Sequence, residues 1–220
     1  AGLDAWNDER HRTASTVAVA FQNSLGEKVI PALVRQVAVS DPGIRFGLHQ
    51  GPRQMCLNLL ADGRVDLAIV SDVDAQLPEY VVYPLFTQLL VVGFPTARAL
   101  APLPRLRIDG LVGAPIVAMK PGFGMRRSVD RLFASSGHEP ALAFEGEDLR
   151  TIDGLVAAGL GVSIVPLDGR SPAGCVWVPL SDPGAEREMA AVARASHESA
   201  AVAVVVRALV ESASVAVQPR

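Results

Sequence analysis

Residues that could contact a ligand follow four apolar runs in this chain, each at the point where a predicted β-strand ends. The set comprises Gln22, Asn23 and Ser24 after the first run, Pro52 and Arg53 after the second, Ser71 after the third, and Lys120, Phe123 and Gly124 after the fourth. A helix that follows such a run offers its first backbone N–H groups to a carboxylate or phosphate, and Arg53 and Lys120 add positive charge. We therefore predict a binding site for a small, anionic molecule at these positions.

A purely structural explanation of the same residues stays open. Asn23 and Ser24 are residue types that cap helices, and the glycines near Phe123 are residue types that turn the chain. The occurrence of four such loops, rather than any single residue, favours the binding site.

Patterns that support catalysis, a metal or a cofactor are missing from the sequence. The histidines, which are His11, His49, His138 and His197, show neither HExxH spacing nor an i, i+4 partner. GFGMRRS and GLGVS hold too few glycines for a dinucleotide fingerprint, and neither a P-loop nor GxSxG occurs. Glu147 and Asp148 stand at a predicted helix start, where the helix dipole explains them. We predict that the chain is not an enzyme and needs no metal or cofactor.

The two cysteines, Cys56 and Cys175, are far apart in sequence and form no CxxC motif. Such residues are typical of buried thiols, and a redox pair is the open alternative.

The composition predicts a folded, water-soluble protein. Half of the 220 residues are apolar and a fifth are charged, and the mean hydropathy is +0.29. The richest apolar run, AAVAVVVRALV, contains Arg207 and is shorter than the ~20 residues that cross a bilayer. The N-terminus lacks a secretion signal, so we expect a cytoplasmic location. A net charge of −3 without a cluster of basic residues argues against nucleic-acid binding by this chain itself.

Strand and helix patterns alternate along the chain. The first set is TVAVAF, EKVIPALVRQVAV, SDPGIRFGLHQG, RQMCLNLLADG and RVDLAIV, and the second is PIVAMK, GMRRSVDRLFASSG, ALAFEG, DLRTIDGLVAAG and LGVSIVP. Each set is the sequence form of consecutive βαβ units with a parallel sheet. VWVPLSD and REMAAVARAS add later strands, and SAAVAVVVRALVES adds a closing helix. We therefore predict an α/β protein with two lobes, each a mostly parallel sheet flanked by helices, and a ligand cleft between them.

The long extended run VVYPLFTQLLVVGFP, interrupted by Pro84 and ended by Pro95, is predicted to cross between the lobes. The expected organisation assigns residues 1–14 to a linker remnant or tag, residues 15–88 and 190–214 to lobe I, and residues 89–189 to lobe II.

The segment LLADGRVDLAIV resembles the pattern L-x-x-G-x-[LIV]-D-[LA]-[AG]-[IF] in the effector-binding domain of LysR-type transcriptional regulators. VIPALVRQVAVSDPGIRFGLHQG is similar to that family's first helix, turn and second strand, and GLVAAGLGVSIVP to its late helix-to-strand run. VPLSDPGAEREM resembles the strand that leads back to the first lobe. The resemblance covers about Thr16 to Val210, and the two runs in correct order make it specific.

This resemblance implies a periplasmic-binding-protein-like fold with an effector between the lobes. Ser24 matches the hydroxyl position after the first strand that often touches the effector, and Ser71, Phe123 and Gly124 fall on further pocket positions. Pro52 falls where many members carry Thr or Ser, so the chain departs there from the family's usual hydrogen bond to ligand.

The resemblance also implies a conformational switch. A small-molecule effector stabilises one arrangement of the lobes, and a winged helix-turn-helix upstream of this chain, joined by a linker helix, binds DNA. The family acts as a homodimer or tetramer, and the helices at about Ser24 to Val39 and at Met125 to Ser136 are the expected dimer surface. A periplasmic solute-binding protein is the alternative on the same fold, and an enzyme on this scaffold would need a catalytic constellation.

Overall fold

The computed structural model describes residues 15–73, 78–98, 105–170, 172–196 and 199–216. The chain divides into unit 1, Ala1–Phe86 with Met189–Arg220, and unit 2, Thr87–Glu188. It passes from unit 1 to unit 2 after Phe86 and returns after Glu188. The expectation for residues 1–14 lies outside the described residues.

The order of elements is the predicted alternation of strands and helices. Unit 1 contains β1 (Ser15–Gln22), α1 (Val29–Ser40), β2 (Ile44–Gly51), α2 (Arg53–Ala61), β3 (Leu67–Ser71) and α5 (Ala200–Ala216). Unit 2 contains β5 (Pro115–Met119), α3 (Gly124–Ser135), β6 (Ala141–Gly146), α4 (Leu149–Ala157), β7 (Ser163–Pro166) and β8 (Cys175–Pro179). The strands β4 (Tyr80–Pro95) and β9 (Glu186–Arg194) run through both units.

The sheet of unit 1 has the strand order β2-β1-β3-β9, with β4 beyond β9. β1 pairs in parallel with β2 and with β3, whereas β3 and β9 are antiparallel. The register sets Gln22 opposite Gly51, so β1 and β2 end side by side. One face of the sheet packs on α1 and α5 around Phe21, and the other packs on α2 around Cys56.

The segment LLADGRVDLAIV links α2 to β3 through two close contacts. Gly63 adopts φ +69, and a Cβ there would lie 2.8 Å from the Arg194 guanidinium. The Asp66 carboxylate accepts the backbone N–H of Ala18 at 2.8 Å, and the Asp66 N–H donates to the Ala18 carbonyl at 2.8 Å. The family-like Gly and Asp therefore position β3 beside β1.

Unit 2 combines parallel and antiparallel pairing. β5 and β6 are parallel, and Val117 N–H donates to the Val162 carbonyl beside β7 at 2.8 Å. β4 is antiparallel to both β7 and β8. One continuous apolar cluster built from β4, β5, α3, α4 and β7 forms the core.

Two local expectations are corrected. β4 is not interrupted by Pro84, because proline fits the extended backbone of a strand at the margin of a sheet. The first helix does not begin near Ser24: Asn23–Leu25 form a short 3-10 turn, and α1 begins only at Val29. Among the described residues, no helix is long and apolar enough to cross a membrane.

Candidate functional site

Gln22 and Ser71 join the carboxyl ends of β1 and β3 in unit 1. The Ser71 N–H donates to Gln22 Oε1 at 2.6 Å, and Gln22 Nε2 donates to Ser71 Oγ at 3.4 Å. Both residues are buried, with Gln22 4% and Ser71 0% exposed. Because buried polar groups must find partners, this double contact ties the two strand ends into a fixed polar edge.

Arg53, the first residue of α2, connects the amino end of that helix to the end of β3. Its Nε donates to the Ser71 carbonyl at 2.7 Å, and its Nη2 donates to the Asp72 carbonyl at 2.9 Å. Charge-assisted bonds to two successive carbonyls fix the loop that leaves β3. Gln22, Arg53 and Ser71, predicted from separate stretches of sequence, therefore form one network.

Asp72 holds the strained backbone of this network. Its φ of 51° is the one positive φ of a non-glycine residue in the described part of the chain, and aspartate is among the few residue types that tolerate this conformation. Sequence reasoning missed its role. The signal available was an aspartate directly after a buried strand, which is compatible with a turn but does not reveal the Arg53 contact.

The amino end of α2 has no side-chain cap. Pro52 occupies the N-cap position with extended backbone angles, φ −59 and ψ 154, and no side chain there accepts a hydrogen bond from the helix. Proline has no side-chain oxygen, so the N-cap residue of α2 supplies no acceptor for the N–H groups of the first helical turn.

Asn23 and Ser24 lie beside this network but do not cap a helix. Both belong to the 3-10 turn after β1, and the Asn23 carbonyl accepts the Gly26 N–H at 3.2 Å. The N-cap residue of α1 is Lys28, which makes no side-chain capping bond. Neither Asn23 nor Ser24 is therefore the N-cap residue of α1.

The predicted residues of unit 2 cluster at the amino end of α3. Phe123 is its N-cap residue and Gly124 its first residue, and again no side chain caps the helix. The Phe123 N–H donates to the Lys120 carbonyl at 3.3 Å, and the Lys120 N–H donates to the Gly146 carbonyl at 2.8 Å.

Lys120 does not supply uncompensated positive charge. Its Nζ lies 2.6 Å from Glu147 Oε1, and both side chains are at least half exposed. Sequence reasoning assigned Glu147 only to a helix dipole, because nothing in the sequence links two residues that are 27 positions apart. The prediction of an anionic ligand therefore rests on the helix ends rather than on this lysine.

The α4 helix shows what a capped amino end looks like in this molecule. Asp148 accepts the Thr151 N–H at 2.8 Å and the Thr151 hydroxyl at 2.7 Å. The hydroxyl bond from Thr151, followed by the backbone bond, lowers the pKa of Asp148 below its usual value. A structural cap is therefore present on α4 and lacking on α2 and α3.

The two cysteines and the possible metal ligands are the remaining reactive side chains of the described residues. Burial raises the pKa of the Cys56 thiol to about 11, so this thiol stays protonated at neutral pH. Burial also raises the pKa of the half-buried Cys175. No group of three His, Cys, Asp or Glu residues that could hold a metal ion occurs in the described ranges.

Comparison with known proteins identifies the family. The family model described as the LysR substrate binding domain matches residues 10–214. The chain is 31% identical over 150 residues to the HTH-type transcriptional regulator YybE of Bacillus subtilis, with 68% of this chain and 51% of YybE covered. It is 26% identical over 188 residues to the transcriptional dual regulator GltC of Bacillus subtilis, with 84% of this chain and 63% of GltC covered.

Solved structures share the fold. The effector-binding domain of QuiR in complex with shikimate has a TM-score of 0.79 at 22% identity, covering 91% of this chain and 98% of that one. The BenM effector-binding domain with benzoate has a TM-score of 0.76 at 22% identity, covering 93% and 95%. A mutant of Corynebacterium glutamicum OxyR has a TM-score of 0.82 at 19% identity, covering 97% and 70%.

These findings confirm the resemblance that LLADGRVDLAIV and GLVAAGLGVSIVP carry. The prediction of a two-lobed α/β fold is likewise confirmed by the structural neighbours, and the curated relatives are transcriptional regulators rather than enzymes. The chain spans between half and two thirds of the length of the two relatives described here. By the match over residues 10–214, the chain belongs to the LysR substrate-binding domain family.

Proposed function

We propose that this chain senses a small organic acid and transmits its binding to a DNA-binding domain in a longer LysR-type regulator. YybE carries an HTH-type name, and both YybE and GltC extend well beyond the matched region, which supports a division of labour between sensing and DNA binding. A regulator of transcription works where the chromosome is, so the proposed location is the cytoplasm.

The observation that carries this proposal is the pair of uncapped helix ends beside the predicted residues. α2 begins at the Gln22, Arg53 and Ser71 network, and α3 begins at Phe123 and Gly124. Each helix end presents backbone N–H groups and the positive end of the helix dipole, which together favour a negatively charged oxygen. The proposed ligand-contacting residues are Gln22, Asn23, Ser24, Pro52, Arg53, Ser71, Lys120, Phe123 and Gly124.

The proposed chemical class of the effector is a carboxylate. Shikimate and benzoate, which are bound by QuiR and BenM according to their structures, are both carboxylates. A carboxylate accepts several N–H bonds at once and needs no lysine as a counter-ion. This matters because Lys120 is already neutralised by Glu147.

The proposed mechanism of transmission uses the two strands that run between the units. β4 and β9 are the segments through which the chain leaves and re-enters unit 1. An effector that binds residues of both units changes the relative populations of their arrangements by its difference in affinity for them. That change would alter the spacing of the DNA-binding domains in the full regulator.

The proposed partner is a second copy of this chain. The helices α1 and α3 are the proposed contact elements, and we add the exposed sheet-margin strands to the proposed surface. β6 is exposed along most of its length, with Leu142 39% and Phe144 37% exposed, and in unit 1 β2 carries Leu48 at 44% exposed. Unpaired strand margins with exposed apolar side chains are surfaces that proteins normally cover. Higher assembly into a tetramer is part of the same proposal.

The test is a thermal-shift screen of small carboxylates, each measured beside its uncharged amide. Benzoate with benzamide is one such pair, and shikimate with its amide is another. A carboxylate at 100 times its Kd should stabilise the chain by about 2.7 kcal/mol, which raises Tm by several degrees, whereas its amide should not. A screen in which amides stabilise the chain as well as the acids do, or in which no acid stabilises it, would overturn the proposal.

A further inference from the structure

Residues 181–188 lead from β8 to the point where the chain re-enters unit 1, and we name them the return segment. Its first residues are held within unit 2. The Ser181 N–H donates to the Leu106 carbonyl at 2.9 Å, and the buried Asp182 carboxylate accepts the Ile108 N–H at 3.0 Å. The beginning of the return segment is therefore anchored to the chain that precedes β5.

Arg131 of α3 binds the middle of the return segment. Its Nη1 donates to the Gly184 carbonyl at 3.1 Å, and its Nη2 donates to the Glu186 carbonyl at 2.8 Å. Gly184 adopts φ +77, and a Cβ there would lie 2.7 Å from Arg131 Nη1, so glycine permits both the turn and the close approach. A planar guanidinium can bond two carbonyls at once. Arg131 therefore fixes the backbone on both sides of Ala185.

Ala185 and Arg187 join the return segment to β4. The Ala185 carbonyl accepts the Leu90 N–H at 2.9 Å. Arg187 Nε donates to Gln88 Oε1 at 3.0 Å, and Arg187 is only 1% exposed. Burying a charged side chain is costly unless hydrogen bonds hold it in place. The return segment is thus fixed at two positions to the other strand that passes between the units.

The helix α3 connects Arg131 to the residues that we propose to contact the effector. It begins beside Phe123, at Gly124, and Arg131 lies two turns further along, about 10 Å from that end. Its buried side chains pack on the core of unit 2, and they include Met125, Val129, Leu132 and Phe133. A helix packed in this way moves as one body, so a displacement of its amino end would reach Arg131.

We propose that Arg131 is a positioning residue that couples α3 to both strands of the crossing. It holds β9 directly, through the Glu186 carbonyl, and it holds β4 through Ala185 and the neighbouring Arg187. All of these bonds lie within unit 2. The use of this link in transmission rests on the proposed function, whereas the link itself can be tested without an effector.

The test is hydrogen exchange of the Leu90 amide, measured by NMR on the chain with no effector present. Arg131→Met should speed this exchange about tenfold, because the carbonyl that the amide binds is no longer fixed on both sides. Leu90 bonds to Ala185, so the change has to pass through the backbone of the return segment. The reference is the Val117 amide, which bonds to the Val162 carbonyl in the core of the same unit and should not change.

Two further variants separate the link from a general effect of charge. Arg127→Met, at an exposed arginine about one turn earlier in α3, should leave both amides unchanged. Arg131→Lys keeps the charge but lacks the fork that bonds two carbonyls, so it should behave like Arg131→Met.

Three results would overturn the proposal. They are an unchanged Leu90 amide in Arg131→Met, equal acceleration of the Leu90 and Val117 amides, and full protection of Leu90 in Arg131→Lys. The first shows no link, the second shows a loss of stability of the whole unit, and the third shows that charge alone is sufficient. Failure of the proposed function would instead appear in the thermal-shift screen, which this measurement does not use.

Discussion

At the edge of unit 1, the side chains of Gln22 and Arg53 are engaged in hydrogen bonds that fix the loop after β3. Arg53 donates to the carbonyls of Ser71 and Asp72, and Gln22 binds the amide and hydroxyl of Ser71. These contacts hold a strained Asp72 at φ 51°. The positive charge of Arg53 is therefore fixed in place by these hydrogen bonds. The backbone N–H groups at the start of α2 are then the groups of this edge that would recognise a ligand.

Arg53→Met should destabilise the chain, because it removes two hydrogen bonds from a charged donor and leaves two carbonyls to find new partners. The expected loss in the free energy of unfolding is about 1–3 kcal/mol, measured by urea denaturation. Arg64→Met, at an exposed arginine just beyond α2, should change stability by less than about 0.5 kcal/mol. Equal effects of the two substitutions would contradict a structural role for Arg53.

For single residues, the sequence predicts which side chains lie close together. It predicts less well which hydrogen bonds and ion pairs those side chains form. The rule that strand ends share one edge of a parallel sheet was sufficient to bring Gln22, Arg53 and Ser71 together. The same rule cannot show that Lys120 pairs with Glu147, since pairing depends on the path of the chain between β5 and α4. Nor can it show that Asn23 and Ser24 form a 3-10 turn, since the residue types suit a cap equally well.

Helix ends are the elements by which the proposed ligand-binding loops differ from a structural loop in this chain. α4 carries an internal carboxylate at its amino end, supplied by Asp148, whereas α2 and α3 carry none. The contrast is chemical, because all three helices present the same backbone groups. An acceptor from outside the chain can therefore act at α2 and α3 but competes with Asp148 at α4.

Asp148→Ala should lower the free energy of unfolding by about 1 kcal/mol at pH 7, because the cap is lost, and Asp148→Asn by a few tenths. The folded-state pKa of Asp148 lies below its ordinary value of 3.8. The stability from its ionised form is therefore fully present above that value and is lost as the pH falls through the lower, folded pKa. Urea denaturation from pH 7 to pH 2 should show the wild type approaching Asp148→Asn only at the acid end. A constant difference at all pH values would contradict this assignment.

Elements were predicted well from periodicity, and their exact ends were not. The alternation of apolar runs with segments of helical spacing predicts β1 to β3 and β5 to β7 with the intervening helices. Pro84 was expected to interrupt a strand, since proline usually ends one. The residue sequence alone does not show that this part of β4 is the last strand of the unit 1 sheet, where a missing N–H is tolerated.

At the scale of the whole molecule, the exposed strand β6 predicts self-association. Phe144→Lys places a charge on this strand and should weaken a dimer at least tenfold, as seen by light scattering over a range of concentrations. Val112→Lys replaces an apolar residue of similar exposure outside β6 and should leave the dimer unchanged. A wild-type chain that is monomeric at all concentrations, or a dimer that Phe144→Lys does not weaken, would contradict the proposed surface.

In the proposed function, effector binding acts through the populations of the arrangements of the two units. The chain crosses between units only through β4 and β9, and a ligand can shift their arrangement only by binding one arrangement better. The sequence could predict the crossing in VVYPLFTQLLVVGFP because it is long and extended. It could not predict the effector, which depends on side-chain geometry at residues that are distant in sequence.

The central claim, that a carboxylate binds at the amino end of α2, is tested most directly by two substitutions at one position. Pro52→Asn and Pro52→Asp both place a capping side chain on the extended N-cap backbone, and only Pro52→Asp adds negative charge. The measurement is the Kd, by isothermal titration calorimetry, of the carboxylate that stabilises the wild type most. The account predicts that Pro52→Asp binds it at least tenfold more weakly than Pro52→Asn, a difference of about 1.4 kcal/mol. Equal Kd values for the two variants would contradict it.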